Sequence, residues 1–368
     1  MTEPALRTWA EVSLSQVRAN FNAIREAVGE SVAITPVVKA NAYGHGAVEV
    51  SRTLENAGAK WLAVSCVSEG VLLRDAGVGT RILVMGGLFS FEREAVFAHG
   101  LTPVVHSLTE LREWDNAGRQ LAVHLDIDTG MSRLGADATA TEVADALRSI
   151  RQVRVEGLLS HFASAEDFSS GQTAEQTRRF AAICAAVREA GLEPAIEHIS
   201  STNAFAYGRE GIRLSMVRPG LATYGYVSAA VDGPAPCFLV KPVLTWYARL
   251  LKVRDIAEGT SVGYRARFRA PRPMRIGTVA AGYADGIPHR LSARGSLISN
   301  GRPLPILGAV SMDLTTVDLT NAPELQPGEA VTVLGPGMDA QQIADLAGEV
   351  PYSVLCGIGK RVSRVYTL

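Results

Sequence analysis

The sequence predicts an α/β protein, an eight-stranded parallel β/α (TIM-type) barrel followed by a mostly β C-terminal domain. Three observations carry that expectation. From about residue 32 the chain alternates eight short β-branched runs with amphipathic stretches, the order in which strands and helices follow one another around a barrel. Beyond about residue 240 the texture changes to short apolar runs broken by Gly, Pro and Asn. No G-x-G-x-x-G follows the first run, which weakens the rival reading of a doubly wound, dinucleotide-binding sheet.

Element by element, "RTWAEVSL" reads as a strand ahead of the barrel, free to pair with the second domain. The barrel strands are then sought in "VAITPVVKA", "WLAVSC", "RILVMGG", "LTPVVH", "LAVHLDID", "VRVEGLLSHF", "PAIEHISS" and "LSMVRPGLATYG". Between them lie "GAVEVSRTLENAG", "SLTELREWDNAG" and "QTRRFAAICAAVREAG"; several such segments carry Ser or Thr near the start and Gly at the end, as capped helices do. In the second domain "SLISNGRPLPILGAV", "TTVDLT" and "AVTVLGPG" read as strands, with one helix near "DAQQIADLAGEV". The expected domains are 12–238 for the barrel and 239–368, with 1–11, for the β-rich part.

Composition narrows the function. At 368 residues the chain exceeds one ordinary core, and 47% hydrophobic, 20% charged and a net charge of −1 describe a soluble globular protein. Neither half is strongly basic, so nucleic acid is not an expected partner. The start carries Glu3, Arg7 and Glu11 and lacks the apolar segment of a signal peptide, and no stretch reaches a membrane span. Cys66, Cys184, Cys237 and Cys356 stand far apart with no C-x-x-C pair. That spacing suits free thiols in the cytoplasm better than disulfides or a zinc site.

Barrel enzymes place their chemistry at the carboxyl ends of strands. Those ends offer Lys39, then Asp126 and Asp128 before "TGMSRLG", His161, the Ser200–Thr202 cluster, and Arg218 before Pro219 and Gly220. One lysine, one histidine, two arginines (Arg133 and Arg218) and hydroxyls at a common mouth suit a small anionic, phosphorylated ligand. Each residue alone has a plainer reading. Lys39 fits a solvated strand-end charge, His161 a hydrogen-bonded rim residue, and the arginines fit as partners of Asp126, Asp128 or Glu197. No His/Asp/Glu set has metal-ligand spacing, so no metal is expected.

The segment "PVVKANAYGHG" resembles the pyridoxal-phosphate lysine motif of the bacterial alanine racemase family. The likeness runs from "TWAEVSL" to "KRVSRVY" and takes in "DTGMSRLG", "LSHFASA", "MVRPGLATYG", "VGYRARF", "GYADGIPHR" and "SMDLTTVDL", in family order. It implies a barrel binding pyridoxal 5'-phosphate, a β domain after it, and a homodimer with shared active sites that interconverts L- and D-alanine, supplying D-alanine for peptidoglycan. Lys39 is then the lysine that carries the cofactor and one catalytic base; an amine suits both roles. Inversion needs a base on each face, and the second is implied to be Tyr264, in "VGYRARF", from the partner subunit.

The same resemblance assigns the remaining contacts. Arg218 meets the pyridine nitrogen; a guanidinium does not readily release its proton, so that nitrogen stays unprotonated. His161, with Arg218, links Tyr264 to the cofactor ring. Tyr43, Tyr352, the backbone N–H groups of Gly220 and Leu221, and a hydroxyl from Thr202 (alternatively Ser201) hold the phosphate. Arg133 and the Met312 amide bind the substrate carboxylate, Tyr283 narrows the entry channel, and Asp313 supports the site.

Two departures stand out. Asp126 sits where many relatives carry a carbamylated lysine, and is expected to replace that anion and orient Arg133, directly or through a water; the alternative is that a bound anion such as chloride orients Arg133. Ala309 sits where relatives often carry arginine. The competing readings are a basic amino-acid decarboxylase or a broader racemase of the same fold, and a non-catalytic carrier built on the barrel alone. The decarboxylases' late glycine-rich and cysteine segments are not evident, and a carrier needs neither Tyr264 nor Met312.

Overall fold

The computed structural model describes residues 5–209 and 215–368; Glu3 and Leu214, both used in reading the sequence, lie outside them. The chain forms two compact units. One comprises the segment through Gln16, Tyr43–Gly46 and Pro242–Leu368; the other comprises Val17–Ala42 and Ala47–Lys241.

The first strand, β1 (Thr8–Ser13), belongs to the first of these, and the next eight strands build the second. They are β2 (Ala33–Ile34), β3 (Trp61–Val64), β4 (Arg81–Val84), β5 (Thr102–Val105), β6 (Leu121–Asp126), β7 (Val153–Leu159), β8 (Ile196–His198) and β9 (Met216–Val217). Strands β3 to β8 pair in sequence order, all parallel, while β2 pairs with β9. Single parallel bridges, Val37↔Ala63 and Ser201↔Arg218, join the pair to both edges of the six and close the barrel. The closing strands are short because Pro36 and Pro219 lack the N–H that a longer ladder needs. Neighbouring donors still reach across, Thr35 N–H to Val217 at 2.9 Å and Val37 N–H to Pro219 at 2.8 Å.

The intervening helices start where the sequence signals them. Ser107 caps Leu108–Asp115 by accepting from the Glu110 amide, and Thr139 with Glu142 forms a capping box for Ala140–Ser149. Buried aliphatic residues such as Leu62, Val64, Ile82, Val104 and Leu125 line the sheet.

In the other unit the long strand β10 (Leu244–Ile256) is the spine. It pairs antiparallel with β1, and β1 pairs parallel with the last strand of the chain, Ser363–Thr367. The remaining strands, β11 (Ser261–Val262), β12 (Phe268–Arg269), β13 (Met274–Val279), β14 (Ser296–Ser299), β15 (Arg302–Pro305), β16 (Thr315–Asp318) and β17 (Ala330–Leu334), are short and mostly antiparallel. The helix expected near "DAQQIADLAGEV" is Ala340–Ala347, capped by Asp339 and ended by left-handed Gly348. A second helix, Pro351–Cys356, has Pro at its first position and was not foreseen.

Candidate active site

The carboxyl ends of the barrel strands gather most of the residues singled out in that unit. Lys39 follows β2 and opens a turn in which Ala40, Asn41, Ala42 and Tyr43 all have φ between 50° and 55°. That left-handed path is costly for residues with a Cβ, so neighbours must hold it. Glu69 does so, its carboxylate accepting from the Ala40 amide at 2.6 Å and the Ser65 amide at 2.8 Å. Asn41 Oδ1 accepts from the Ala47 amide at 2.9 Å.

After β6, Asp128 Oδ1 accepts from the amides of Gly130, Met131 and Ser132 at 2.9–3.1 Å and shapes the loop that carries exposed Arg133. Burial pushes the Asp128 carboxyl up, but those N–H groups outweigh it and hold the group below its ordinary range. Gly135 has φ +101°, and a Cβ there would stand 2.7 Å from the Asp128 nitrogen. Gln176 stitches this loop to the next, donating to His161 O at 2.8 Å and to Thr129 Oγ1 at 3.3 Å.

Arg218, 3% exposed, lies just past β9. Its guanidinium donates to Ser160 O and His198 Nδ1, each at 2.6 Å, and to His161 Nδ1 at 3.3 Å. Among the described residues no carboxylate comes within ion-pair distance of it. Burial lowers its pKa to about 10, against which the Asp126 charge works. His161 is driven down to about 3, first by burial and then by Arg218, Arg133 and Lys39. The imidazole is therefore neutral, with three cations around it. Thr202 Oγ1 accepts from the amides of Gly220 at 3.1 Å and Ala222 at 3.3 Å, so Thr202 rather than Ser201 is the hydroxyl that meets this turn. Leu221, between those two residues, is buried and opens a short helical turn, Leu221–Tyr224.

Asp126 has a neighbour that the sequence did not show. Its Oδ2 accepts from His106 Nδ1 at 3.0 Å, and no hydrogen bond joins it to Arg133.

The other unit brings together a second set. The Tyr43 and Tyr352 rings lie 5.9 Å apart. Tyr283 and Met312 sit on adjacent loops, with the Tyr283 amide donating to Ser311 O at 3.0 Å and the Ala284 amide to Met312 O at 2.9 Å. Gly282 permits this approach, since a Cβ there would fall 2.3 Å from Ser311 O. Gly263, just before Tyr264, lies against Ala309, so the Tyr264 turn borders the same loop. Tyr264, Met312 and Tyr283 are 72%, 53% and 44% exposed, large side chains on these neighbouring loops. Behind them Arg361 bridges Asp313 at 2.8 Å and Asp285 at 3.0 Å.

Glu69, His106, Gln176 and His124 were not found from the sequence as site residues. They act on partners far along the chain, and a single sequence carries no local signal for that. Among the described residues no cluster of His, Cys, Asp and Glu could hold a metal ion, and no helix is long and apolar enough to cross a membrane.

Comparison with known proteins agrees over nearly the whole chain. Residues 12–228 match the family model "Alanine racemase, N-terminal domain", and residues 243–366 match "Alanine racemase, C-terminal domain". The alanine racemase of Halothermothrix orenii is 36% identical over 375 residues, covering 98% of this chain and 96% of that protein. The solved alanine racemase of Clostridium difficile 630 superposes with a TM-score of 0.93 at 30% identity, covering 99% of this chain and 97% of the other. The alanine racemase of Bartonella henselae, solved with covalently bound pyridoxal phosphate, gives 0.89 at 29% identity, covering 99% and 100%.

Proposed function

The chain belongs to the alanine racemase family, and from that membership we propose that it interconverts L- and D-alanine with pyridoxal 5'-phosphate. The observation that supports this best is the grouping of Lys39, Arg133 and Arg218 around a neutral His161 at the barrel mouth. Three cations, with amide donors at Gly220 and Leu221, fit a cofactor whose phosphate and ring oxygen are anionic. When bound, pyridoxal phosphate supplies an electron sink for the charge left at Cα when a proton departs.

In this reading Lys39 holds the cofactor and exchanges the Cα proton on one face, and Tyr264 of the partner subunit does so on the other. The exposure of Tyr264, Met312 and Tyr283 on neighbouring loops of the β unit suits a homodimer in which each subunit completes its neighbour's site. His161 Nδ1 accepts from Arg218, so its proton resides on Nε2 and can be donated to the phenol oxygen of Tyr264. Arg218 donates to the ring nitrogen and leaves it unprotonated, which restrains side reactions of the electron sink. Thr202, Gly220 and Leu221, with Tyr43 and Tyr352, hold the phosphate. Arg133 and the Met312 amide orient the substrate carboxylate, Tyr283 narrows its entry, and Asp126 and Asp313 support these groups. The four cysteines form no disulfide, and we place the enzyme in the cytoplasm, supplying D-alanine for peptidoglycan.

Purified enzyme loaded with pyridoxal phosphate is expected to convert either alanine enantiomer to an equal mixture by chiral analysis. A panel in which alanine keeps its configuration would overturn the assignment. Tyr264→Phe should abolish solvent deuterium exchange into L-alanine; exchange at the wild-type rate would remove Tyr264 from the role.

A further inference from the structure

The barrel interior carries a row of polar side chains where aliphatic layers are usual. From Arg218 Nη1 it passes to His198 Nδ1 at 2.6 Å and from His198 Nε2 to His124 Nδ1 at 2.8 Å, both hydrogen bonds; His124 Nε2 then faces Glu156 Oε1 at 3.6 Å, an electrostatic contact longer than a hydrogen bond. Arg218 lies beyond the carboxyl end of β9, His124 and Glu156 are mid-strand in β6 and β7, and Arg81 and Arg154 bind Glu156 from the opposite strand ends. Arg81 also stacks 3.8 Å over Trp61, at the start of β3.

The donor direction is fixed from Arg218 as far as His124. A guanidinium can only donate, so His198 must accept at Nδ1 and bear its proton on Nε2. His124 then accepts at Nδ1 and presents its own Nε2–H to the carboxylate. Both rings are 0% exposed, and burial first of all holds each below the ordinary histidine range, so they are neutral spacers. The backbone is shaped to allow this. Val123 pairs with Val155 but His124 pairs with Gly157, which leaves Glu156 as the extra residue of a β-bulge. At Gly157 a Cβ would stand 2.6 Å from His124 Nδ1, so only glycine leaves room for the ring.

We propose that Glu156 is the counter-charge and positioning residue of Arg218, acting from the middle of β7 through His124 and His198. A buried guanidinium without a carboxylate at contact distance is costly. The relay offsets that cost without placing an anion at the mouth, where it would compete for the cations around His161. It also fixes the guanidinium plane and so its aim. The catalytic consequence rests on the proposed role of Arg218 at the cofactor ring, whereas the relay itself does not.

The experiment is 15N NMR of the full-length, cofactor-loaded protein with labelled histidine, alongside steady-state kinetics of Glu156→Gln. With seven histidines, the two buried neutral rings are assignable through His124→Gln and His198→Gln. Wild type is expected to show the Nε2–H tautomer in both rings. In Glu156→Gln those tautomers, set from Arg218, should persist while the His124 Nε2 resonance shifts as its carboxylate neighbour is lost, with kcat for alanine down about tenfold or more and KM within about twofold, the behaviour of an outer partner of a charged centre. Glu156→Asp should recover part of the loss. If Glu156→Gln fails to fold, His124→Gln breaks the same chain and its His198 Nε2 resonance and kcat are read in its place. An Nδ1–H tautomer at His198 in wild type, or an unchanged His124 Nε2 resonance and kcat in Glu156→Gln, would overturn the proposal. Should the wild type not racemise alanine at all, the functional reading fails while the tautomers still decide the relay.

Discussion

The turn after Lys39 allows a prediction worked from backbone geometry. Ala40 has φ 50° and is exposed, whereas Ala42 has φ 53° and is 0% exposed. A left-handed conformation costs an L-residue about 1–2 kcal/mol, and glycine removes that cost. Glycine also widens the unfolded ensemble, which returns about 0.4–1 kcal/mol. At exposed Ala40 nothing else is lost, so Ala40→Gly should stabilise the fold by roughly 0.5–1 kcal/mol. At Ala42 the buried methyl is lost as well, about 0.8 kcal/mol, so Ala42→Gly should be neutral or destabilising. Urea unfolding of the two variants, followed by circular dichroism at constant m, separates them. Activity should move the other way. A freer backbone next to Lys39 loosens the amine's aim, so Ala40→Gly should lower kcat several-fold while raising the urea midpoint. A midpoint that falls in Ala40→Gly, or moves equally in both variants, would refute the claim that the turn is strained and held by Glu69.

Three further outcomes are expected. Borohydride treatment of the loaded enzyme should fix the cofactor on Lys39 in peptide maps, and a label on Lys241, Lys252 or Lys360 would sink the assignment. Mixing inactive Lys39→Ala subunits with inactive Tyr264→Phe subunits should restore activity, because a heterodimer holds one site free of both lesions; no recovery after demonstrated subunit exchange would place each tyrosine in its own subunit's site. Burial pushes the Glu156 carboxyl up, but His124 and Arg81 outweigh it and hold it at about 2, below the ordinary 4.5. A depressed carboxylate stabilises the fold fully above its unfolded pKa, so the wild-type advantage over Glu156→Gln should persist above pH 4.5 and fade as pH falls toward 2. Equal pH profiles in urea unfolding would count against the buried ion chain.

Much of the fold was legible because its signals are local. β-Branched runs, capped helices and the change of texture near residue 240 can each be read within a dozen residues. The closing strands were less so: "VAITPVVKA" and "LSMVRPGLATYG" each supply only a two-residue strand, because Pro36 and Pro219 interrupt the ladder. Among the expected site residues, Lys39, His161, Thr202 and Arg218 follow directly from strand ends. Tyr264 came from the family resemblance alone, since an aromatic beside a two-residue strand carries no chemical mark of its own.

What stayed hidden is of one kind. Glu69, His106, Gln176 and Glu156 are ordinary helix, loop or strand residues in the sequence, and each gains its role from a partner that only the fold supplies. At Asp126 the fold adds a partner that a local reading leaves out. Strand alternation puts it on the same side as Asp128, near the turn to Arg133, and an acid there looks made to orient that arginine. The barrel also sets β5 beside β6, and His106, at the end of β5, reaches Asp126 Oδ2 at 3.0 Å. One oxygen is then committed to His106, and the charge is felt by Arg218, whose pKa it raises. Arg218 thus lies between two acids, Asp126 acting through space and Glu156 through two imidazoles. Neither lies within ion-pair distance of it. The guanidinium keeps its charge for a ligand because its counter-charges are held at a distance, Asp126 by His106 and Glu156 by Arg81 and Arg154.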